Sequence, residues 1–167
     1  PTTLNAALHI AQFWDGRAKD VEEQALGPIL NPVEMGMPNE AAVVNKLKKI
    51  DDYKALFAEA FKDEKDPFQY KNVGKAIGAF ERTLLTPSRF DDFLNGDESA
   101  LNDSEKRGLT KFMHMGCVTC HNGVVIGGNS YKKIGVVEPY ETKDMGRFEV
   151  TGLETDKKVF KVPSLRN

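Results

Sequence analysis

The sequence has two cysteines in 167 residues, too few for a disulfide scaffold. It has no excess of charge of one sign. The 23 Lys and Arg stand against 25 Asp and Glu, a formal net charge of −2, so the basic footprint of a nucleic-acid binder is missing. No apolar run approaches the ~20 residues of a membrane-spanning helix, and no signal-like apolar region opens the sequence. It also lacks internal repeats and low-complexity stretches. What is present is globular: 40% of the residues are hydrophobic, with ten Phe, four Tyr and one Trp, which argues against disorder. The length suits one domain or two small ones.

The apolar pattern predicts a mainly α chain. Acidic Asp20, Glu22 and Glu23 suit a helix over 15–26 that stops near Gly27-Pro28, followed by a proline-marked loop over 31–38. Asn39 is the expected N-cap of a helix carrying Val43, Val44, Leu47 and Ile50, and Asp51 or Asp52 of one carrying Tyr53, Leu56, Phe57 and Phe61. Val73, Ile77, Phe80 and Leu84 form the stripe of a buried helix. The expected core of this first part is Val43, Leu47, Phe57, Val73, Ile77 and Phe80. Thr86-Pro87-Ser88 marks a boundary between a first part, 1–85, and a second, 86–167. A short helix over 88–94 and another capped by Asp103 or Ser104 lead to a Gly-rich, low-helix tail. Phe148–Thr151 and 159–162 read there as brief strands.

Cys117-Val118-Thr119-Cys120-His121 is a C-x-x-C-H element and reads as covalent haem attachment. One tight turn brings both sulfurs to the same edge of a porphyrin for thioether bonds, and the next residue brings its imidazole beneath the iron. A zinc knuckle is the competing reading, but it needs a second Cys/His pair, and the other histidines are His9 and His114. A thioredoxin-like dithiol would want a βαβ context. For the sixth position of the iron, Met113 and Met115 lie too close to the motif to reach the opposite face. Met145, in a glycine-flanked loop, is the local candidate, and packing in the core is its equally consistent role. Met35 and Met37 flank a glycine and suit cover for an aromatic surface.

Several segments together resemble the bacterial di-haem cytochrome c peroxidase family. They are Phe13-Trp14-Asp15-Gly16-Arg17, Gly27-Pro28-Ile29, Asn31-Pro32-Val33-Glu34-Met35-Gly36, Ala79-Phe80-Glu81-Arg82-Thr83-Leu84, Thr86-Pro87, Phe90-Asp91, the run from Gly116 to His121, and Val162-Pro163-Ser164-Leu165-Arg166-Asn167. The resemblance implies two cytochrome c-like helical domains with one c-type haem each. One haem receives electrons from a small donor cytochrome or cupredoxin, and the other reduces hydrogen peroxide to water.

Cys117, Cys120 and His121 fall at the electron-receiving haem. Trp14 matches the electron relay between the haems, Glu34 the acid–base residue over the peroxidatic iron, and Gln24 a polar partner in the same pocket. The family's other C-x-x-C-H motif and its switchable histidine would precede Pro1, and the methionine ligand of the electron-receiving haem would follow Asn167. The chain thus reads as a central fragment. The intact enzyme is expected in the periplasm as a homodimer, with calcium at an interdomain site that draws on residues outside both ends. A single-haem electron carrier and a haem-based redox sensor domain are the alternative functions.

Overall fold

In a computed structural model describing residues 2–166, helices make up most of the regular backbone. Pro1 and Asn167, the last residue of the closing run, lie outside the described residues. Four helices form the first part: α1 (Val21–Leu30), α2 (Glu40–Leu47), α3 (Asp51–Ala60) and α4 (Tyr70–Glu81). The second contains α5 (Arg89–Leu94), α6 (Asp103–His114) and the single turn α7 (Phe148–Thr151). Strands β1 (Tyr131–Lys133) and β2 (Val159–Lys161) pair antiparallel, with Lys132 opposite Phe160. Among the described residues no helix is long and apolar enough to cross a membrane.

Asp20 caps α1 by accepting the Glu23 amide at 2.8 Å. The helix does not stop at Gly27-Pro28 but runs through both to Leu30. Pro28 forfeits only the bond to the Gln24 carbonyl, and the continued turn carries Ile29 into the core. There Ile29 packs with Val43, Phe57, Phe68, Tyr70 and Val73, with Leu47 and Ile77 partly buried against them. Phe57 and Phe68 stack with ring centroids 4.6 Å apart. The Tyr70 hydroxyl donates to the Leu26 carbonyl at 2.6 Å and ties α4 to α1.

Phe80 departs from expectation: it is 62% exposed. α4 buries Gly74, Gly78 and Glu81 instead. A Cβ on Gly74 would sit 2.5 Å from the Glu22 carbonyl oxygen, and one on Gly78 would sit 2.7 Å from the Glu22 side chain. Close approach of α1 therefore takes the glycine face, while along the apolar stripe Val73 is buried, Ile77 is partly buried and Phe80 is left exposed. Arg82 clasps the crossing, both guanidinium contacts to Glu22 measuring 2.9 Å.

Capping explains the second part. Ser88 and Asp91 form a capping box at α5, and Asn102 with Glu105 forms one at α6, so Asn102 takes the role expected of Asp103 or Ser104. Phe148–Thr151 is helical rather than a strand. Gly152, at φ 68°, donates its amide to the Phe148 carbonyl at 2.8 Å and closes the turn as a glycine C-cap does. Buried Asn5 joins distant segments: its side chain accepts the Thr86 amide at 3.0 Å and donates to the Thr86 hydroxyl at 2.7 Å and the Arg166 carbonyl at 3.4 Å. Arg166 in turn grips Asp91 through two contacts, 2.9 and 2.6 Å.

Two outcomes follow from these contacts. Gly74→Ala should destabilise the protein by about 1–3 kcal/mol in urea or thermal unfolding, because the steric cost at the Glu22 carbonyl exceeds the helix-propensity gain. Asp91 is held from its ordinary 3.8 down to about 2, first by the Arg166 guanidinium and then by the Ser88 amide. A lowered folded value means that its contribution is full above 3.8 and is lost as pH falls through about 2. The stability difference between the native protein and Asp91→Asn should accordingly shrink across that interval in acid unfolding experiments.

Candidate functional site

α6 delivers the C-x-x-C-H element. After His114 the chain turns at Gly116, φ 81°, a conformation costly for any residue with a Cβ. Cys117–Thr119 then forms one 3-10 turn, and the amides of Cys120 and His121 both donate to the Cys117 carbonyl, at 3.2 and 2.9 Å. Both thiols are free and partly buried. Neither ring nitrogen of His121 has a hydrogen-bond partner among the described residues, and Nδ1 is fully shielded. The imidazole stands between two cavities. One, of about 530 Å³, is lined by Phe90, Leu109, Phe112, Met113 and Ile126; the other, of about 710 Å³, by Trp14, Cys120, Ile134, Phe160 and Lys161. Both lie within the range of roughly 300–1,000 Å³ usual for ligand and cofactor sites.

Backbone bonds from far along the chain hold this arrangement. Gly128 donates to Val162 at 2.8 Å and accepts the Ile10 amide at 2.9 Å. The Lys161 amide donates to the Trp14 carbonyl at 2.8 Å, and the Leu165 amide to the Ile126 carbonyl at 3.1 Å. Gly127 lies against the Pro163 carbonyl with no room for a Cβ. Asn122 is fixed by the Gly127 amide and by the side chain of Asn129, 2.7 Å from its Oδ1.

The arrangement fits a thioether-linked haem. Two unpaired thiols sit at the right spacing, an imidazole has no hydrogen bond to the protein, and the walls on both sides are largely apolar, with Lys132, Thr142, Asp144 and Lys161 as polar positions on the larger one. No group of three or more His, Cys, Asp and Glu that could hold a metal ion occurs among the described residues.

Trp14 is 45% exposed and lines the larger cavity together with His121. It also lines an adjoining cleft of about 430 Å³ with Phe13 and Arg17, and these two continue into a third cleft, of about 370 Å³, that includes Glu34. Trp14 thus lies between the C-x-x-C-H element and the Glu34 cleft. Glu34 is exposed and accepts the Asn31 side-chain amide at 2.8 Å. Gln24 is half-buried on α1 and does not line that cleft; Glu23 does. Met145 lines neither cavity beside His121, whereas Thr142 and Asp144 of its loop line the larger one.

Three residues at these cavities have no site role in the sequence analysis: Arg17, Glu23 and Lys161. Arg17 stacks 3.5 Å above the Phe13 ring and pairs with Asp15 at 2.9 Å. Lys161 is only 4% exposed, and its ammonium contacts His9 Nδ1 at 2.9 Å. Burial lowers Lys161 to about 8, and burial followed by the Lys161 charge lowers His9 to about 4. His9 is therefore neutral at pH 7 and accepts at Nδ1. The available signal was a lysine between Phe160 and Val162 in a short β-prone run.

The sequence profile of the di-haem cytochrome c peroxidases matches residues 1–99, ending before the C-x-x-C-H element. Cytochrome c551 peroxidase of Nitrosomonas europaea is 49% identical over 170 residues, covering 100% of this chain and 50% of that protein. The protein of the same name from Pseudomonas aeruginosa is 44% identical over 173 residues, with the same coverage. The chain spans about half the length of these curated relatives. Among solved structures, a MauG-like protein associated with microbial copper homeostasis superposes with a TM-score of 0.83 at 27% identity, over 99% of this chain and 54% of that one.

Proposed function

This chain belongs to the di-haem cytochrome c peroxidase family, and from that premise we propose that it is the electron-receiving part of a peroxide-reducing enzyme, holding one c-type haem on Cys117, Cys120 and His121. The observation that carries the reading is His121, without a hydrogen bond at either ring nitrogen, between two largely apolar cavities, the larger of which shares Trp14 with the clefts that lead to Glu34.

Cys117 and Cys120 would hold the haem through thioether bonds, and His121 would ligate its iron. A haem held there supplies a one-electron couple in an apolar setting. Trp14, on the wall beside His121, would relay electrons toward the second haem. Glu34 holds and moves a proton at peroxide, with the second haem supplied by the rest of the protein. Gln24 joins this proposal on the family resemblance alone. Met145 lines neither cavity beside His121, and a methionine beyond Asn167 is the sixth ligand on the family resemblance alone. The division at 85/86 is retained, with the amino-terminal segment hydrogen-bonded into the second part. Hydrogen peroxide as substrate, a small cytochrome c or cupredoxin as donor, a homodimer with calcium, and a periplasmic location complete the proposal for the whole protein.

Haem should remain with the polypeptide through acid–acetone extraction, and the double variant Cys117→Ala, Cys120→Ala should release it; haem that extracts from the unaltered protein overturns the reading. The single tryptophan offers a second check, because Trp14 emission should be strongly quenched in the haem-loaded chain and recover in the double variant. In the full-length enzyme, Glu34→Gln should lower peroxide turnover by about 10²-fold or more while leaving reduction of the His121 haem unchanged in stopped-flow measurements.

A further inference from the structure

Lys161 is a buried cation without a counter-ion. The residue is 4% exposed, and its ammonium has three protons to donate and one protein partner, the neutral His9. No carboxylate lies within ion-pair distance of it among the described residues. Taking an ammonium out of water costs several kcal/mol unless an anion compensates it. The residue also forms part of the wall of the larger cavity beside His121, and its backbone is fixed there by the bond from its amide to Trp14. A missing anion and a cavity are therefore found at the same place.

We propose that Lys161 binds a carboxylate of the haem held at Cys117, Cys120 and His121, and that its charge raises the reduction potential of that haem. The inference rests on the haem reading above. Apart from its iron and ring, such a group offers two carboxylates, and these are its anionic parts. Reduction adds one electron to the iron, so a fixed positive charge nearby favours the reduced form. Lys161 is a positioning residue in this role and touches no reacting atom of peroxide. Its lowered proton affinity accords with a cation held away from water with no anion beside it. Lys132 lines the same cavity but is exposed, so solvent screens its charge.

The test is a spectroelectrochemical titration of the haem-loaded chain at pH 7. At the midpoint potential of the unaltered protein, Lys161→Met should show a reduced-to-oxidised ratio lower by on the order of tenfold. Lys161→Arg should restore most of that ratio, and Lys132→Met should leave it nearly unchanged. An unchanged midpoint in Lys161→Met with haem attached overturns this proposal and leaves the haem reading standing. An unaltered chain without covalent haem overturns both. If no neutral variant folds, ¹⁵N-lysine labelling of the unaltered protein decides. A slowly exchanging Lys161 ammonium whose resonance moves between the ferric and ferrous forms supports the proposal, and a freely exchanging one that does not move overturns it.

Discussion

The backbone junction at Gly127 and Gly128 is the constraint on which the rest of the site depends. The segment after His121 has no helix or strand of its own before β1, so its position is imposed from outside. Gly128 takes one bond from the amino-terminal segment and gives one to Val162, and Gly127 closes on Pro163. These contacts set where His121 stands relative to Trp14, whose carbonyl is held by the Lys161 amide. The cavity is thus made by three segments far apart in sequence meeting at glycines, where backbone can approach backbone.

Some of this was legible in the sequence and some was not, for identifiable reasons. The C-x-x-C-H element was legible as a local motif, because its spacing needs only one turn, and Cys117–Thr119 forms one. Asn39 as a cap and the helices over 40–60 were legible because capping and apolar period are local signals, but neither Asp51 nor Asp52 caps α3: both lie inside its first turn, and Ile50 stands at the N-cap without a side-chain bond. The buried face of α4 was legible only in part. Val73 and Ile77 of the expected apolar stripe reach the core, but Phe80 is exposed, and Gly74 and Gly78, which carried no signal of burial, decide where α1 fits. Pro28 misled in the same way, since local cost gave way to the burial of Ile29. Lys161 was illegible because a charge is expected in water, and only tertiary contacts show that it is not there.

The positions of Trp14 and Glu34 illustrate a further distinction. Their residue types and neighbouring motifs were visible along the chain, but the relation between them was not. It is created by Phe13 and Arg17, which line the clefts on both sides and carry the wall from one to the next. The arginine lies over the phenylalanine face, so a cation and an aromatic surface line the passage together.

The convergence at Asn5 has a consequence for how the molecule is made. Synthesis runs from the amino terminus, so His121 emerges 41 residues before Val162, the partner of Gly128. Asn5 must likewise wait for Arg166, 161 positions later. Contacts that distant in sequence form late and slowly. Until they form, the loop bearing Cys117 and Cys120 has no carboxy-terminal wall, and both thiols stand open to reagents. The order of the chain therefore provides an interval in which the thiols are more open than in the finished fold, where both sulfurs are partly buried.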